Sequence, residues 1–352
     1  MTKNNLFKFG TLLIVPLLLG AGCSNNISIT GGVGDGGVWY STDKGESWEQ
    51  KSFISSDNDK VVSISKLNVT ELKSHRKDSK IIYASTNQGI YFTENAADKW
   101  SGVFSTGQVT DFTLDPEVRG ILYVLFERSM LKTTDNGRTW EQKYLESRED
   151  VLLSDVIVDP TDNGRIYVGN TSGDLIVSQD FGKSWRVMNN FSSPIREILV
   201  NPKDNTILYV GTARKGIFLS SDQGATWQGL SEFYKDFKGA NEFHQLIFDL
   251  TGQSSLLYAS RFGLLKSDNG GTEWYEIPTI SPSGSIIYRA LAINPASSKE
   301  IYYATNDALV RSFDGGQSWI SLRLPTSRSV RALLVDFFNT TKVYLGAAKI
   351  KN

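Results

Sequence analysis

Seven of the eight tryptophans of this 352-residue chain end the same eight-residue phrase, Ser/Thr-x-Asp-x-Gly-x-Ser/Thr-Trp. Successive copies place these tryptophans 52, 40, 45, 42, 47 and 45 residues apart. A period of roughly 40 to 50 residues is that of a four-stranded propeller blade. The phrase itself is typical of a tight β-hairpin, in which Ser and Asp side chains accept backbone N–H bonds and Gly takes a positive φ.

The acidic residue and the tryptophan of the phrase recur around the whole ring. A calcium loop or a row of catalytic carboxylates is the functional alternative, but copies spread around a ring cannot converge on one substrate. We therefore interpret the phrase as structural, and we expect no metal and no cofactor. Two of the seven copies are worn: Thr93 to Trp100 has Asn95 and Ala97 for the Asp and Gly, and Ser267 to Trp274 has Asn269 for the Asp and Glu273 for the hydroxyl. The structural positions are Asp43, Trp48, Asp135, Trp140, Asp180, Trp185, Asp222, Trp227, Asn269, Trp274, Asp314 and Trp319.

The two ends of the chain carry complementary halves of the repeat. With strands named A to D from the axis outward, Val38–Ser41 and the segment after Trp48 read as C and D, whereas 330–335 and 342–346 read as A and B. Pairing these halves completes a seventh blade and removes exposed sheet edges. The sequence predicts an all-β, seven-bladed β-propeller over residues 36–352, closed by its N- and C-terminal strands. A short apolar segment at 27–30 is a competing candidate for part of this closure.

The first 22 residues differ from the rest. Lys3 and Lys8 precede an apolar run too short to span a bilayer, and Leu19-Gly-Ala-Gly-Cys23 follows, with the only cysteine of the chain. This segment resembles a bacterial lipoprotein signal, which implies lipidation of Cys23, a short tether over 23–35 and a membrane-anchored protein of the cell envelope that faces outside the cytoplasm. An ordinary cleaved signal is the alternative. Without the first 22 residues, the chain has 35 basic and 38 acidic side chains, and this slightly negative balance argues against nucleic-acid binding.

One position of the inner strands is rich in cations. It lies four residues before the last apolar residue of each A strand, where we expect the mouth of the central channel. Planar guanidinium groups suit oxyanions, so an anion site is one interpretation. The other is that these arginines pair with neighbouring carboxylates such as Glu197 or cover strand ends. Around the ring this position is occupied by Arg331, Ser65, Thr110, Ser154, Arg196, His244 and Arg289.

Two other basic segments are notable. The connection after Trp227 carries Tyr234 and several phenylalanines and lysines, which predict either a binding edge beside the channel or a lid folded over the blade. A cluster that begins at Lys73 and runs through His75 to Lys80 is expected in an A-to-B turn on the opposite face, as a solvated loop.

The phrase matches the Asp-box (BNR) repeat, and the resemblance covers about residues 36 to 348. Families with this repeat include sialidases, two-propeller xyloglucan hydrolases, sortilin receptors and photosystem II assembly factors. In layout the chain is most similar to the last of these, single seven-bladed propellers with arginines at the start of inner strands, as in Ile195-Arg-Glu-Ile198. The sortilin-like resemblance is to the repeat alone.

The sequence favours a binding protein over an enzyme. The Phe/Tyr-Arg-Ile-Pro segment of sialidases is missing, and a xyloglucan hydrolase cleft needs two propellers. We predict a non-catalytic, envelope-anchored propeller that binds an anionic protein or peptide on its channel face through Arg196, His244, Arg289 and Arg331, with Tyr234 beside them. A carbohydrate-active glycoside hydrolase is the alternative, for which a glycan is the substrate.

Overall fold

The computed structural model describes residues 28–30, 34–57, 60–252 and 254–349. The predicted signal and Cys23 lie outside these residues. Within them, the strands form seven antiparallel blades around a channel, and one short 3₁₀ helix, Ser231–Tyr234, is the only helical element. The predicted seven-bladed all-β propeller is confirmed. None of the described residues belongs to a helix long and apolar enough to cross a membrane.

Blades I to VI each contain four strands that follow one another along the chain. Blade I consists of β6 Val69–His75, β7 Asp78–Thr86, β8 Gly89–Thr93 and β9 Ser101–Phe104. Blade II consists of β10 Asp111–Leu114, β11 Leu122–Phe126, β12 Ser129–Thr133 and β13 Glu141–Leu145. Blade III consists of β14 Leu153–Asp159, β15 Asp162–Asn170, β16 Asp174–Ser178 and β17 Arg186–Asn190.

The next three blades repeat this order. Blade IV consists of β18 Ile195–Val200, β19 Leu208–Thr212, β20 Gly216–Ser220 and β21 Gln228–Gly229. Blade V consists of β22 Phe243–Asp249, β23 Ser255–Ser260, β24 Leu264–Ser267 and β25 Tyr275–Ile277. Blade VI consists of β26 Ala290–Asn294, β27 Ser297–Ala304, β28 Leu309–Ser312 and β29 Ile320–Leu322.

Blade VII is built from both ends of the chain, as predicted. Its inner strands are β30 Ser329–Val335 and β31 Val343–Ala348, and its outer strands are β2 Gly37–Ser41 and β3 Glu49–Lys51. Strands β31 and β2 pair from Gly37 with Ala347 to Ser41 with Val343. The competing segment does not displace this closure, because β1 Ser28–Thr30 adds in parallel to the outer edge of β3.

The Asp-box turns connect strands C and D of each blade. In the turn of blade III, the Ser178 hydroxyl accepts the Gly182 N–H at 2.8 Å, and Asp180 accepts the N–H of Ser184 at 2.9 Å and its hydroxyl at 2.5 Å. Gly182 has a φ of +84°. These bonds hold the pKa of Asp180 at about 2, because hydrogen bonds from the Ser184 hydroxyl and N–H stabilise the carboxylate. The phrase is therefore a self-contained turn.

The hydrophobic core is divided among the blade interfaces. Seven clusters of buried side chains occur among the described residues, and each joins one blade to the next. The Asp-box tryptophans strengthen the seams at the outer edge: Trp185 Nε1 donates to the Lys143 carbonyl of the preceding blade at 2.8 Å. Close packing around the ring makes the channel wall a fixed frame.

An additional hairpin interrupts the repeat between blades VII and I. Strands β4 Phe53–Asp57 and β5 Lys60–Ser63 pair with each other, directly before the stretch around Ser65 that the sequence assigned to the inner strand of blade I. The inner strand β6 begins only at Val69. This displacement moves the channel position of blade I from Ser65 to Thr70, and it corrects the prediction for this blade.

Candidate binding site in the central channel

In five of the seven blades, a β-bulge near the start of the inner strand directs one side chain into the channel. The pairing of strands A and B shifts between Ile195 and Glu197, and the extra residue is Arg196. The same shift occurs at the corresponding place in blades I, III, V and VII. An unpaired extra residue re-aims its side chain, so the bulge is the local cause of the channel side chains in these five blades, whereas Thr110 and Arg289 directly precede the inner strands of blades II and VI.

The structure brings six of the seven predicted ring positions together. The central cavity, about 820 Å³, is lined by Thr110, Ser154, Arg196, His244, Arg289 and Arg331. The seventh, Ser65, is fully buried, and its hydroxyl lies 2.7 Å from that of Ser63. Thr70 lines the cavity in its place. Four adjacent blades, IV to VII, therefore present three arginines and a histidine, which we call the basic arc: Arg196, His244, Arg289 and Arg331.

The basic arc has no carboxylate partners among the described residues. Every arginine–carboxylate pair found there lies elsewhere in the fold, which removes the predicted alternative of pairing with Glu197. Arg289 Nε donates to the Asn306 amide oxygen at 2.8 Å, a neutral partner. Arg196 is exposed, and His244, Arg289 and Arg331 are partly exposed. These cations remain available to an external anion.

The cations of the arc lie close enough to repel one another. Burial and the positive charge of Arg289 both lower the pKa of His244, so the imidazole is predominantly neutral at pH 7. The same two causes, in the same order, lower the pKa of Arg331. Nδ1 of His244 is buried and has no hydrogen-bond partner in the described structure. An anion bound between these side chains would relieve the repulsion and provide the negative charge that the arginines lack as a partner.

In four blades, the residue that directly follows the ring position along the inner strand is acidic. Blades I to IV carry Glu71, Asp111, Asp155 and Glu197 there, and all four line the cavity. We call them the acidic arc. Sequence reasoning considered Glu197 only as a partner for an arginine and did not recognise the other three. Listing the residue after each ring position in the correct register would have revealed them.

Three carboxylates of the acidic arc hold adjacent blades together. Asp111 accepts the N–H of Val156 at 2.7 Å, Asp155 that of Ile198 at 2.9 Å, and Glu197 that of Leu246 at 2.9 Å. Each bond crosses from one inner strand to that of the next blade. These contacts satisfy N–H groups that the bulges leave outside the strand ladder.

Lys73 is the counter-charge of the acidic arc. Its ammonium lies 2.8 Å from Glu71 and 3.0 Å from Asp111, and it also donates to the Phe112 carbonyl. Burial alone would lower the pKa of Lys73, but the attraction of Asp111 and Glu71 outweighs it and raises this pKa. The predicted position of Lys73 in a turn on the opposite face is wrong, because the additional hairpin shifts β6. Arg76 and Lys77 do form that turn.

One ammonium cannot neutralise four carboxyl groups, so protons are retained. Burial raises the pKa of Glu197 to about 8; the Leu246 N–H and the charge of Lys73 oppose this shift, and the charges of Asp111 and Glu71 add to it. Burial followed by the charge of Asp111 also raises the pKa of Asp155. The channel wall thus contains carboxyl groups that are protonated near neutral pH.

Tyr234 does not lie at the channel. It is only 2% exposed, its hydroxyl accepts the Ile217 N–H at 2.9 Å, and its ring packs edge-on against Trp274. Phe237 likewise packs against Phe262 of blade V. The connection after Trp227 therefore folds back over the blade, and the prediction that Tyr234 contacts a ligand is wrong. Its apolar surface is buried between blades IV and V instead.

No metal centre is evident in the described part of the chain. There, no group of three or more His, Cys, Asp or Glu side chains has an arrangement that could hold a metal ion. The acidic arc has a different chemistry, because its carboxyl oxygens are occupied by backbone N–H groups and Lys73. What the channel can do chemically is bind charged groups.

Comparisons with known proteins agree with this architecture. The family model described as Sortilin-Vps10 (sortilin, neurotensin receptor 3) matches residues 128–255. A curated relative, the photosystem II assembly lipoprotein Ycf48 of Prochlorococcus marinus (strain MIT 9312), is 26% identical over 155 residues, 43% of this chain. The chain is similar to an assembly-factor propeller. The match spans 42% of the length of that relative.

Solved structures share the fold at low identity. YCF48 bound to D1 peptide has a TM-score of 0.60 and 18% identity, with 80% of this chain and 93% of that chain covered. YCF48 from Cyanidioschyzon merolae has a TM-score of 0.61 and 12% identity, covering 80% and 96%. The GH74 enzyme of Niastella koreensis has a TM-score of 0.64 and 19% identity, covering 80% of this chain and 51% of that one. The first two are single propellers of similar extent.

Proposed function

We propose that this protein is a non-catalytic binding propeller that recognises an acidic segment of a partner protein at the basic arc. The observation that carries the proposal is the placement of three arginines and His244 on adjacent blades without a carboxylate partner in the described structure. The likeness to a propeller solved with a bound peptide, and to an assembly lipoprotein, supports a protein ligand. Anchoring to the cell envelope through lipidated Cys23 is part of the proposal.

The arrangement suits an extended acidic peptide. Guanidinium groups bind carboxylates in a bidentate manner, and a partly enclosed channel screens these charges less than open water does. Among the described residues that line the cavity, those of blades I to III offer the ligand no free cation, because Lys73 is paired with Glu71 and Asp111, so the peptide is directed toward blades IV to VII. Charge of both signs around one channel therefore favours one orientation.

A defined peptide tests this binding mode. The probe is a fluorescent octapeptide with four glutamates, compared with the same peptide carrying glutamines, and the protein lacks residues 1–22 and carries Cys23→Ser. We expect anisotropy to report binding of the acidic peptide that weakens at least tenfold between 50 and about 500 mM salt. The triple variant Arg196→Gln, Arg289→Gln, Arg331→Gln should bind at least tenfold more weakly.

A matched control removes three other arginines. Arg138, Arg186 and Arg323 are exposed and lie outside the cavity lining, so their replacement by Gln changes the net charge equally and should leave binding within about twofold. An equal loss of peptide affinity in both triple variants would mean that only the net charge of the protein matters, and it would contradict a binding site at the basic arc. Capture of envelope proteins by the wild type and not by the arc variant would then identify the natural partner.

A glycoside hydrolase is the second candidate, and one observation favours it. Glu197 has a pKa of about 8 inside a cavity of about 820 Å³, a protonation state suited to a general acid. The GH74 enzymes share the fold. However, Glu197 accepts an N–H across a blade seam, which gives it a structural role. Release of reducing sugar from xyloglucan by the wild type and its loss in Glu197→Gln would establish the hydrolase instead.

A further inference from the structure

Blade VII exposes aromatic side chains on the face opposite the basic arc. Phe337 is 51% exposed and Phe338 62%, and their rings lie 5.6 Å apart in the turn between β30 and β31. Phe313, 45% exposed, is in the adjacent Asp-box of blade VI. We call these three residues the aromatic patch. Exposed phenylalanines that cluster on one rim are unusual for a surface with no partner.

The patch is contiguous across the seam between blades VI and VII. The ammonium of Lys44 lies 5.2 Å from the centre of the Phe313 ring, and the Lys44 N–H donates to the Thr341 carbonyl at 2.9 Å. Thr341 belongs to the same turn as Phe337 and Phe338. Lys44 therefore connects Phe313 of blade VI to the turn of blade VII that carries Phe337 and Phe338.

These aromatic residues depart from the pattern of the repeat. The corresponding turn positions after strand A carry Pro116, Pro160, Pro202, Leu250 and Pro295 in blades II to VI. The position of Phe313 within the phrase is Thr42, Glu94, Thr134, Gln179, Ser221 or Asp268 in the other copies. Turn chemistry does not require aromatic rings at either place, so another constraint accounts for them.

The N-terminal segment arrives at this same face. Ser28 pairs with Glu49, the first residue after the Asp-box of blade VII, and Thr30 pairs with Lys51. Because β1 runs parallel to β3, its first residue lies at the Asp-box end of the blade. Cys23 is five residues before Ser28, and five residues reach at most about 18 Å. A lipid on Cys23 would hold this rim of blade VII near the bilayer.

We propose that the aromatic patch docks into the lipid interface beside the acylated N-terminus. Aromatic rings next to a cation are the composition that membrane interfaces favour. The patch is about four strands from β1, or roughly 15–20 Å at normal strand spacing, so lipid chain and patch reach the same surface. This docking rests on the proposed anchoring, and it directs the basic arc away from the membrane, toward an approaching partner.

Fluorescent probes in the lipidated protein test the orientation. The full-length protein is reconstituted in vesicles of phosphatidylethanolamine and phosphatidylglycerol with NBD on Thr341→Cys beside the patch. Matched probes are on Lys183→Cys, next to the exposed Phe181 on the same face at blade III, and on Arg214→Cys, on the channel face. We expect spin-labelled lipid to quench the Thr341→Cys probe at least twofold and the other two hardly at all. Adding Phe337→Ser and Phe338→Ser should abolish that quenching.

The outcomes separate the two proposals. If mass spectrometry finds no acyl group and the protein does not float with vesicles, both the anchoring and the docking are overturned. If the acylated protein floats and the Thr341→Cys probe remains in water, only the docking is overturned. A blue-shifted probe that lipid does not quench means that protein covers the patch, which also overturns docking into lipid.

Discussion

Carboxyl groups in two regions of this propeller behave in opposite ways. In the Asp-box turns at the outer edge, Asp135, Asp180, Asp222 and Asp314 have a pKa of about 2, because hydroxyl and backbone N–H donors surround each carboxylate in an exposed turn. In the channel wall, burial and neighbouring acids raise the pKa of Glu197 to about 8. The turn chemistry is local and repeated, whereas the channel chemistry exists only where several blades meet.

The comparison teaches which residues to associate with function. A residue that is repeated in every blade stabilises that blade. The groups that surround it belong to the same eight-residue Asp-box. A residue that varies from blade to blade, as the ring position does, gives the channel its asymmetry. Function in this architecture is therefore carried by the departures from the repeat, in the basic arc and in the aromatic patch alike.

The largest effect is expected from removal of the channel counter-charge. Lys73→Met leaves Glu71 and Asp111 without their ammonium in a channel where these side chains are 32% and 9% exposed. We expect the free energy of unfolding to fall by about 2–3 kcal/mol at pH 8, and by less at pH 5, where the carboxyl groups take up protons. Chemical denaturation at both pH values measures this.

The control for this variant is Lys77→Met. Lys77 pairs with Glu117, and both side chains are more than half exposed, so a change within about 0.5 kcal/mol is expected. Equal effects for Lys73 and Lys77 would mean that the channel pair is no stronger than a surface pair.

A smaller loss is expected in an Asp-box turn. Ser178 is 1% exposed, and its hydroxyl accepts the N–H groups of Gly182 and Asp180. Ser178→Ala leaves both N–H groups without this acceptor, so the free energy of unfolding should fall by about 1–2 kcal/mol, independent of pH between 5 and 8. Ser172→Ala, at an exposed site, should change it by less than about 0.5 kcal/mol. If the loss of unfolding free energy in Ser178→Ala depended on pH, the Asp-box turn would not differ from the channel in the way proposed.

The channel carboxyl should make stability depend on pH. Glu197 has a pKa raised from 4.5 to about 8, so between these values the folded state retains a proton that the unfolded state releases. This contribution destabilises the fold progressively as pH rises from about 4.5 to 8. In Glu197→Gln the amide oxygen can still accept the Leu246 N–H, so the decline of the denaturation midpoint over this range should become shallower. An unchanged slope would assign the effect to other groups.

The smallest effect, in the opposite pH range, is expected from a turn carboxylate. The pKa of Asp180 is lowered from 3.8 to about 2, so its contribution is present above about 4 and is lost as pH falls through 2. Asp180→Asn keeps an acceptor for the Ser184 N–H, as Asn269 does for Glu273. Thermal midpoints should fall by only a few degrees at pH 7 and converge with wild type near pH 2. A difference in thermal midpoint between variant and wild type that stays the same from pH 7 down to pH 2 would contradict this account.

The sequence by itself determined the number of blades, the closure of the ring and the Asp-box turns. Each of these follows from a pattern within one repeat: a Ser and an Asp close a turn around a Gly, and the tryptophan spacing counts the copies. Six of the seven channel positions could also be identified, because Arg196, Arg289 and Arg331 each precede a recognisable apolar run. These features depend on residues that are close together in the sequence, so the same interactions form in every copy of the repeat.

Only the tertiary structure decided what surrounds those positions. The β4–β5 hairpin displaced the register of blade I, so Thr70 and Lys73 face the channel, which no local pattern indicated. Tyr234 became a core residue because blade V offered an apolar seam and Ile217 of blade IV offered an N–H to its hydroxyl. The acidic arc and its raised pKa values arise from carboxyl groups on four separate blades. Burial and charge are sums over neighbours in space, and a sequence does not order those neighbours until the ring has closed.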